Sequence, residues 1–161
     1  MAPRKIIIDT DPGQDDAFAI LFALGSPRDL EVVAITTVGG NVPLALTSYN
    51  ALQVVELAGR ADVPVHAGCP RPMVKTLKTA EYVHGPTGLD GVDLPKPVTP
   101  LQGQHAVNFL VETLMAAPEG EITVCTLGPM TNLGMAMVME PRIVPRIREV
   151  VLMGGGFFEG G

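Results

Sequence analysis

Four carboxylates are crowded into one short stretch near the start of the chain. The stretch reads I-I-I-D-T-D-P-G-Q-D-D-A and places Asp9, Asp11, Asp15 and Asp16 within eight positions. Like charges this close repel one another, and a divalent cation relieves the repulsion. Because the ligands on offer are oxygen atoms alone, the ion should be a hard one, Ca²⁺ or Mg²⁺. The alternative is a surface turn whose acids are merely solvated.

The residues around these acids predict a strand, a tight turn and a helix. Three isoleucines run into Asp9, Pro12 and Gly13 then force a turn, and an apolar segment of helix formers follows. Asp15 or Asp16 can lie at or near the helix N-cap, where a carboxylate meets free backbone N–H groups. In open α/β sheets ligands bind at the carboxyl ends of strands, which favours a site over a solvated turn.

Strand and helix patterns alternate along the chain. We predict strands at 5–9, 30–38, 63–66, 121–127 and 149–153, and helices at 16–24, 43–59, 104–116 and 130–139. The apolar positions of the second helix are expected to be Leu46, Tyr49, Leu52, Val55 and Leu57. The alternation predicts a single α/β domain over 1–161, with a mostly parallel, Rossmann-like sheet and helices on both faces.

Residues 68–100 break this alternation. The segment holds six prolines and four glycines and has no sustained apolar period. A loop that long inside a compact domain is usually functional or mobile, and we expect a mobile loop beside the site. His84 lies within it, in V-H-G-P-T-G-L-D-G. An isolated loop histidine is more often solvated than catalytic.

Composition narrows the class of protein. The 161 residues are 47% hydrophobic and carry a net charge of −6, which predicts a globular domain with a real core and argues against nucleic acid as the main partner. No apolar run reaches the ~18 residues of a membrane span, and the basic start is too short for a signal peptide. We therefore expect a cytoplasmic protein, in which Cys69 and Cys125 are buried thiols.

The stretch I-I-I-D-T-D-P-G-Q-D-D-A resembles the N-terminal signature of the inosine-uridine-preferring nucleoside hydrolases. The resemblance implies a Ca²⁺-dependent salvage enzyme, a homodimer or homotetramer, that hydrolyses the N-glycosidic bond of ribonucleosides such as inosine or uridine. It implies that Asp11 and Asp16 bind Ca²⁺ and that Asp15 binds a ribose hydroxyl. Asp11 would also take a proton from the attacking water. Asp9 is expected behind them, orienting the loop.

Later stretches resemble the same family in the same order. Asn41, in V-G-G-N, would lie near the ribose and the attacking water, although the sequence alone favours an ordinary Gly-Asn turn. His84 would approach the nucleoside as its glycine-bearing loop closes. Leu127 would offer its backbone carbonyl to Ca²⁺. Met153 would pack against the sugar, with a core position nearly as well supported. Asn132 is expected to cap or stabilise its helix.

The family resemblance also implies groups beyond Gly161. These are an asparagine, a glutamate and another asparagine for the ribose, then a His-Asp pair that supplies the general acid and a further Ca²⁺ ligand. Without them the site would be about half built, so one alternative is an inactive fragment that binds nucleoside or metal. Another is a phosphatase of the haloacid dehalogenase type, with Asp9 as nucleophile and Mg²⁺ as cofactor. Gly13 and the Asp15-Asp16 pair do not fit that second pattern.

Overall fold

A five-stranded parallel sheet forms the centre of the computed structural model, which describes residues 2–156 and 158. The strands are β1 (Arg4–Thr10), β2 (Leu30–Thr37), β3 (Val65–Ala67), β4 (Ile122–Thr126) and β5 (Glu149–Leu152), in the spatial order β3-β2-β1-β4-β5. The helices are α1 (Gln14–Leu24), α2 (Leu44–Leu57), α3 (Glu81–His84), α4 (Ala106–Ala116) and α5 (Thr131–Met139). A 3₁₀ helix, Pro141–Arg146, precedes β5. The predicted α/β fold is confirmed.

The central strand β1 is buried on both faces because its isoleucines alternate between two cores. Ile6 and Ile8 pack into the core beneath α1 and α2, whereas Ile7 packs into the core beneath α4 and α5. Successive side chains of a strand point to opposite faces, so a strand covered on both sides must be apolar throughout. This pattern places helices on both faces of the sheet, as the sequence predicts.

Helix α1 begins two residues earlier than predicted. Gly13 is its N-cap, and the backbone N–H of Gly13 donates to Asp16 Oδ2 at 3.2 Å. Asp15 and Asp16 therefore lie in the first helical turn, where negative charge is favourable. The helix thus grows directly out of the acidic turn.

The expected apolar positions of α2 are partly wrong. Tyr49 and Leu57 are 36% and 56% exposed, whereas the polar residues Thr47, Ser48 and Asn50 are buried. Each of the three buried side chains has a hydrogen-bond partner; Ser48, for example, lies 2.7 Å from Thr37 Oγ1. Buried polar groups are tolerated when they are bonded in this way, and apolar periodicity cannot reveal them.

Segment 68–100 contains the short helix α3, which the sequence does not predict, and is fastened along α2. Asn50, Gln53 and Glu56 follow one another at intervals of three and so share a face of the helix. Asn50 Nδ2 donates to Thr87 O at 2.8 Å, and Gln53 Nε2 donates to Pro95 O at 2.9 Å. Glu56 Oε1 accepts from the Val98 amide at 2.7 Å.

Cys69 and Cys125 are free thiols, as expected, but each is only half-buried, whereas the sequence predicts buried thiols.

Over the part of the chain that the structure describes, none of the helices has the length and apolar character needed to cross a bilayer.

The core beneath α5 generates a stability prediction. Leu133 is fully buried, whereas Val138 on the same helix is 71% exposed. We expect Leu133→Ala to lower the free energy of unfolding by about 2–5 kcal/mol, because it removes apolar contacts and leaves a cavity. Val138→Ala is the matched control and should stay within about 0.5 kcal/mol. Urea denaturation measures both, and equal losses would contradict the two-core description.

Candidate active site

A cleft of about 400 Å³ opens at the carboxyl edge of the sheet. Its lining brings together every predicted site residue except Asp9: Asp11, Asp15, Asp16, Asn41, His84, Leu127 and Met153. Gly128, Pro129 and Gly154 complete the wall. Residues up to 143 positions apart in sequence, Asp11 and Gly154, thus line one space.

The strand order explains why these residues meet. Strand β1 lies between β2 and β4, and all three run in the same direction, so the segments that follow them share one edge. The Asn41 amide donates to Asp11 Oδ2 at 2.8 Å, and Asn41 Nδ2 donates to the Asp11 carbonyl at 3.0 Å. The predicted proximity of Asn41 to the acidic turn is confirmed. Gly39, Gly40 and Asn41 have no left-handed backbone, so the ordinary Gly-Asn turn is not formed.

Two glycines make room for the Asp11 carboxylate. A Cβ atom added at Gly40 would overlap Asp11 Oδ2, and one added at Gly128 would overlap Asp11 Oδ1. Gly40 follows β2 and Gly128 follows β4, so the carboxylate is enclosed from both neighbouring strands. Asp11 is only 5% exposed as a result.

Asp16 is held by donors from its own turn. Thr10 Oγ1 donates to Asp16 Oδ1 at 2.6 Å, and the Gly13 amide donates to Oδ2. Asn41 Nδ2 makes a longer contact of 3.4 Å to the same Oδ2. Asp16 is therefore buried yet fixed in orientation.

Burial and mutual repulsion shift the titration of these acids. Burial, and secondarily the charge of Asp16, raises the pKa of Asp11 to about 7, although the Asn41 amide opposes the shift. Burial also raises the pKa of Asp16, against the hydrogen bonds from Thr10 and Gly13. A site whose negative charge is so poorly compensated favours a cation.

Asp9 lies behind the cleft and does not line it. It is fully buried, and its Oδ1 accepts from Thr36 Oγ1 at 2.6 Å and from Asn132 Nδ2 at 2.8 Å. Burial raises its pKa to about 6, and among the described residues its Oδ2 has no hydrogen-bond partner. A nucleophile must reach its substrate, so the haloacid dehalogenase alternative, which needs Asp9 in that role, is wrong.

Asn132 connects four segments and does not cap its helix. Met130 is the N-cap of α5, whereas Asn132 Nδ2 donates to Asp9 Oδ1 and to the Thr37 carbonyl. Its Oδ1 accepts from the Cys69 amide at 2.8 Å. The expected capping role is wrong, because Met130 and not Asn132 is the N-cap. The partners of Asn132 lie 63 to 123 positions away, so no local pattern points to them.

The other predicted residues differ in exposure within the cleft. Asp15 and Met153 are exposed, whereas His84 and Leu127 are half-buried. Met153 is anchored by its amide, which donates to the Thr126 carbonyl at 2.9 Å. The described residues include Met153 but not Phe157, so the matched motif L-M-G-G-G-F is only partly within the described residues.

Side chains alone do not complete a metal centre here. Across residues 2–156 and 158, His, Cys, Asp and Glu form no group of three that could hold a metal ion. The cleft does offer two buried carboxylates, Asp11 and Asp16, and Leu127 lines the same space. These oxygen atoms suit a hard cation such as Ca²⁺ but supply fewer than its usual six to eight ligands.

The amino-acid sequence matches one family model and several characterised relatives. Residues 6–161 match the family model described as inosine-uridine preferring nucleoside hydrolase. The chain is 47% identical to a Leishmania major protein of that name over 159 residues, covering 98% of this chain and 50% of the relative. It is 43% identical to a pyrimidine-specific ribonucleoside hydrolase of Escherichia coli, covering 99% of this chain and 50% of the relative.

Solved structures agree with the sequence comparison. A plant nucleoside hydrolase superimposes with a TM-score of 0.84 at 40% identity, covering 96% of this chain and 49% of that one. A purine-preferring ribonucleoside hydrolase from Gardnerella vaginalis superimposes with a TM-score of 0.89 at 32% identity, covering 95% and 49%. The chain spans about half the length of the curated relatives it matches.

The raised pKa values generate a prediction for stability without metal. The native chain holds protons on Asp9 and Asp11 up to about pH 6 and 7, whereas the unfolded chain releases them near 3.8. Because the native state binds more protons in this window, the free energy of unfolding should fall as the pH rises through it. We expect Asp11→Asn to remove about 1–4 kcal/mol of that fall.

Asp15→Asn is the matched control, since it removes an equal charge from an exposed neighbour. Urea denaturation in chelator-containing buffer from about pH 5 to about pH 8 measures the effect. A decline equally steep in the wild type, Asp11→Asn and Asp15→Asn would show that buried Asp11 is not its source.

Proposed function

Because this chain belongs to the inosine-uridine preferring nucleoside hydrolase family, we propose that its cleft contributes to hydrolysis of the N-glycosidic bond of ribonucleosides. The observation that carries the proposal is the gathering of Asp11, Asp16, Asn41 and His84 around one cleft. The chain covers half of its relatives, so it supplies the first half of such a site. The alternative is a fragment that binds nucleoside or metal without turnover.

We propose Ca²⁺ as the cation, because the donors on offer in the cleft are oxygen atoms. Asp11, Asp16 and the Leu127 carbonyl would hold it, and the glycines around Asp11 keep that carboxylate in place. When bound, the ion would supply positive charge that acidifies water and anchors ribose hydroxyls. The pKa of Asp11, raised by burial, favours the proposal because a cation would compensate the charge that burial disfavours.

Asp11 is the proposed general base. A general base must lie within reach of the proton that it abstracts, and Asp11 lines the cleft in which the nucleoside would bind. Asp11 would take a proton from the water that attacks the anomeric carbon. As the water oxygen bonds to that carbon, the N-glycosidic bond breaks and the nucleobase departs with its electron pair. Asn41 keeps the Asp11 carboxylate aimed through its backbone amide.

The remaining cleft residues would bind the nucleoside. Asp15 is exposed and would accept a hydrogen bond from a ribose hydroxyl, and Met153 would pack against the sugar. His84 would approach the nucleoside from α3. The named relatives differ between inosine-uridine, pyrimidine and purine preference, so we propose ribonucleosides as the substrate class. From the family alone we also propose a cytoplasmic salvage role and a homo-oligomer.

Segment 68–100 is the proposed mobile cover of the cleft. Its fastening to α2 uses hydrogen bonds between side chains of the helix and the backbone of the segment, such as Asn50 to Thr87 and Gln53 to Pro95. Single bonds of this kind contribute about 1 kcal/mol each and open readily. We expect amides of 82–91 to exchange much faster than those of β1 and β4 in mass-spectrometric hydrogen exchange. Protection equal to that of the strands would contradict mobility.

The cation site predicts a calorimetric result. We expect the chain to bind Ca²⁺ weakly, and Asp11→Asn or Asp16→Asn to abolish the heat, because each removes one of two buried carboxylate ligands. Asp29→Asn is the matched control, since it removes an equal charge from an exposed turn between α1 and β2. Identical heats in wild type, Asp11→Asn and Asp16→Asn would remove the metal site.

The assignment of Asp11 as general base predicts a kinetic result. The 161-residue chain should release little ribose from inosine or uridine, whereas a chain extended by the second half of the Leishmania relative should release it in the presence of Ca²⁺. In the extended chain, Asp11→Asn should lower kcat by about 10²–10⁴-fold, the usual cost of losing a positioned base. Asp29→Asn should leave kcat unchanged. Comparable turnover by the short chain would show that the groups present here suffice.

A further inference from the structure

Gln14 lies inside the acidic turn, next to the Asp15-Asp16 pair. It is the first residue of α1, between Gly13 and Asp15. Its side chain reaches His84, 70 positions away: Nε2 donates to the His84 carbonyl at 3.2 Å, while Oε1 lies in hydrogen-bond contact with His84 Nδ1. Gln14 therefore contacts both the backbone and the ring of the same histidine.

This double contact determines which nitrogen of the neutral ring carries the proton. The His84 carbonyl can only accept a hydrogen bond, so the amide nitrogen of Gln14 must face it. The amide oxygen must then face Nδ1, and because that oxygen can only accept, Nδ1 must carry the proton. In the neutral imidazole, Nε2 is left as the hydrogen-bond acceptor.

The acidic turn is also shaped to receive this ring. A Cβ atom added at Gly13 would lie 2.6 Å from His84 Nδ1 and 2.7 Å from its Cε1. Only glycine leaves the space in which the imidazole lies against the turn. His84 lines the same cleft as Asp15 and Asp16.

We propose that Gln14 is a positioning residue that holds the His84 ring over the cleft and fixes it with the proton on Nδ1, so that Nε2 can accept a hydrogen bond from a donor group of a ribonucleoside. The assignment of the ligand rests on the proposed function, whereas the assignment of the tautomer rests on the contacts alone. Gln14 would act through His84 and would not touch the reacting atoms.

A second anchor makes the effect of Gln14 separable. Asn50 Nδ2 donates to Thr87 O at 2.8 Å and to Pro12 O at 3.1 Å, which ties the chain just after His84 to the acidic turn. Loss of the Gln14 side chain should therefore release the ring without detaching the rest of the segment.

The chain contains internal standards for an NMR test of the tautomer. Its three histidines are His66, His84 and His105. His66 Nδ1 lies 3.0 Å from the Gln104 carbonyl and must donate to it, whereas His105 Nδ1 accepts from the Val107 amide at 3.2 Å. Long-range ¹H–¹⁵N correlation at about pH 8, where imidazoles are neutral, distinguishes the two forms.

We expect His84 to show the pattern of His66 in the wild type and to move toward that of His105 in Gln14→Leu. Gln14→Glu keeps an oxygen acceptor for Nδ1 and should preserve the His66-like pattern. Gln53→Leu is the matched control, because Gln53 donates to Leu94 and Pro95 carbonyls of the same segment without contacting His84. A His105-like pattern for His84 in the wild type would overturn the proposal, as would no change in Gln14→Leu.

Kinetics separate this proposal from the proposed function. In the extended chain, Gln14→Leu should lower kcat/KM for inosine or uridine about 10-fold, as expected for a lost orienting hydrogen bond of about 1.4 kcal/mol. Asp29→Asn, in the exposed turn between α1 and β2, should leave it unchanged. Unaltered kcat/KM in Gln14→Leu would overturn the positioning role. A tautomer change without hydrolysis by any extended form would support the contact and defeat the proposed function.

Discussion

The burial of carboxylates at the end of a central strand is the constraint on which the rest of this structure depends. Asp9, Asp11 and Asp16 are each 5% exposed or less, and burial raises the pKa of all three. An ionised acid is removed from water at a large cost unless hydrogen bonds or a cation replace the lost hydration. The donors gathered around them, from Thr10, Thr36 and the Asn41 amide among others, are the replacement that the chain itself provides.

Sheet topology determines which segments can supply those donors. The chain proceeds from β1 outward to β2 and β3, then returns to place β4 on the other side of β1. The acidic turn after β1 therefore lies at the point where the strand order reverses, flanked by the segments after β2 and β4. Open parallel sheets leave a crevice at such a point, and ligands bind there. Gly40 and Gly128, one from each flank, enclose Asp11 because of this order.

The sequence could predict those parts of the structure that depend on residues close together in the chain. The isoleucine run before Asp9 and the Pro12-Gly13 turn sufficed for the first strand, the acidic turn and the presence of a helix after it, although not for the residue at which that helix begins. The alternation of strands and helices sufficed for the parallel sheet. The contacts of Asn132 and Gln14 were beyond prediction, since their partners lie 63 to 123 positions away. A side-chain amide has no periodicity, so its role is decided only when the sheet brings distant loops together.

Helix α2 shows why a local pattern can also mislead. Its middle turns bury Thr47, Ser48 and Asn50 and leave Tyr49 exposed, although a purely apolar stripe would pack with fewer polar groups to satisfy. Each buried polar group must be bonded or it costs about 1–3 kcal/mol. Asn50 meets that demand by bonding Pro12 of the acidic turn and Thr87 of the segment that carries His84. At the Asn50 position the helix buries a polar side chain that connects the acidic turn to the segment carrying His84. Polar residues at buried positions interrupt the apolar pattern of α2, and for this reason the pattern misplaces its buried face.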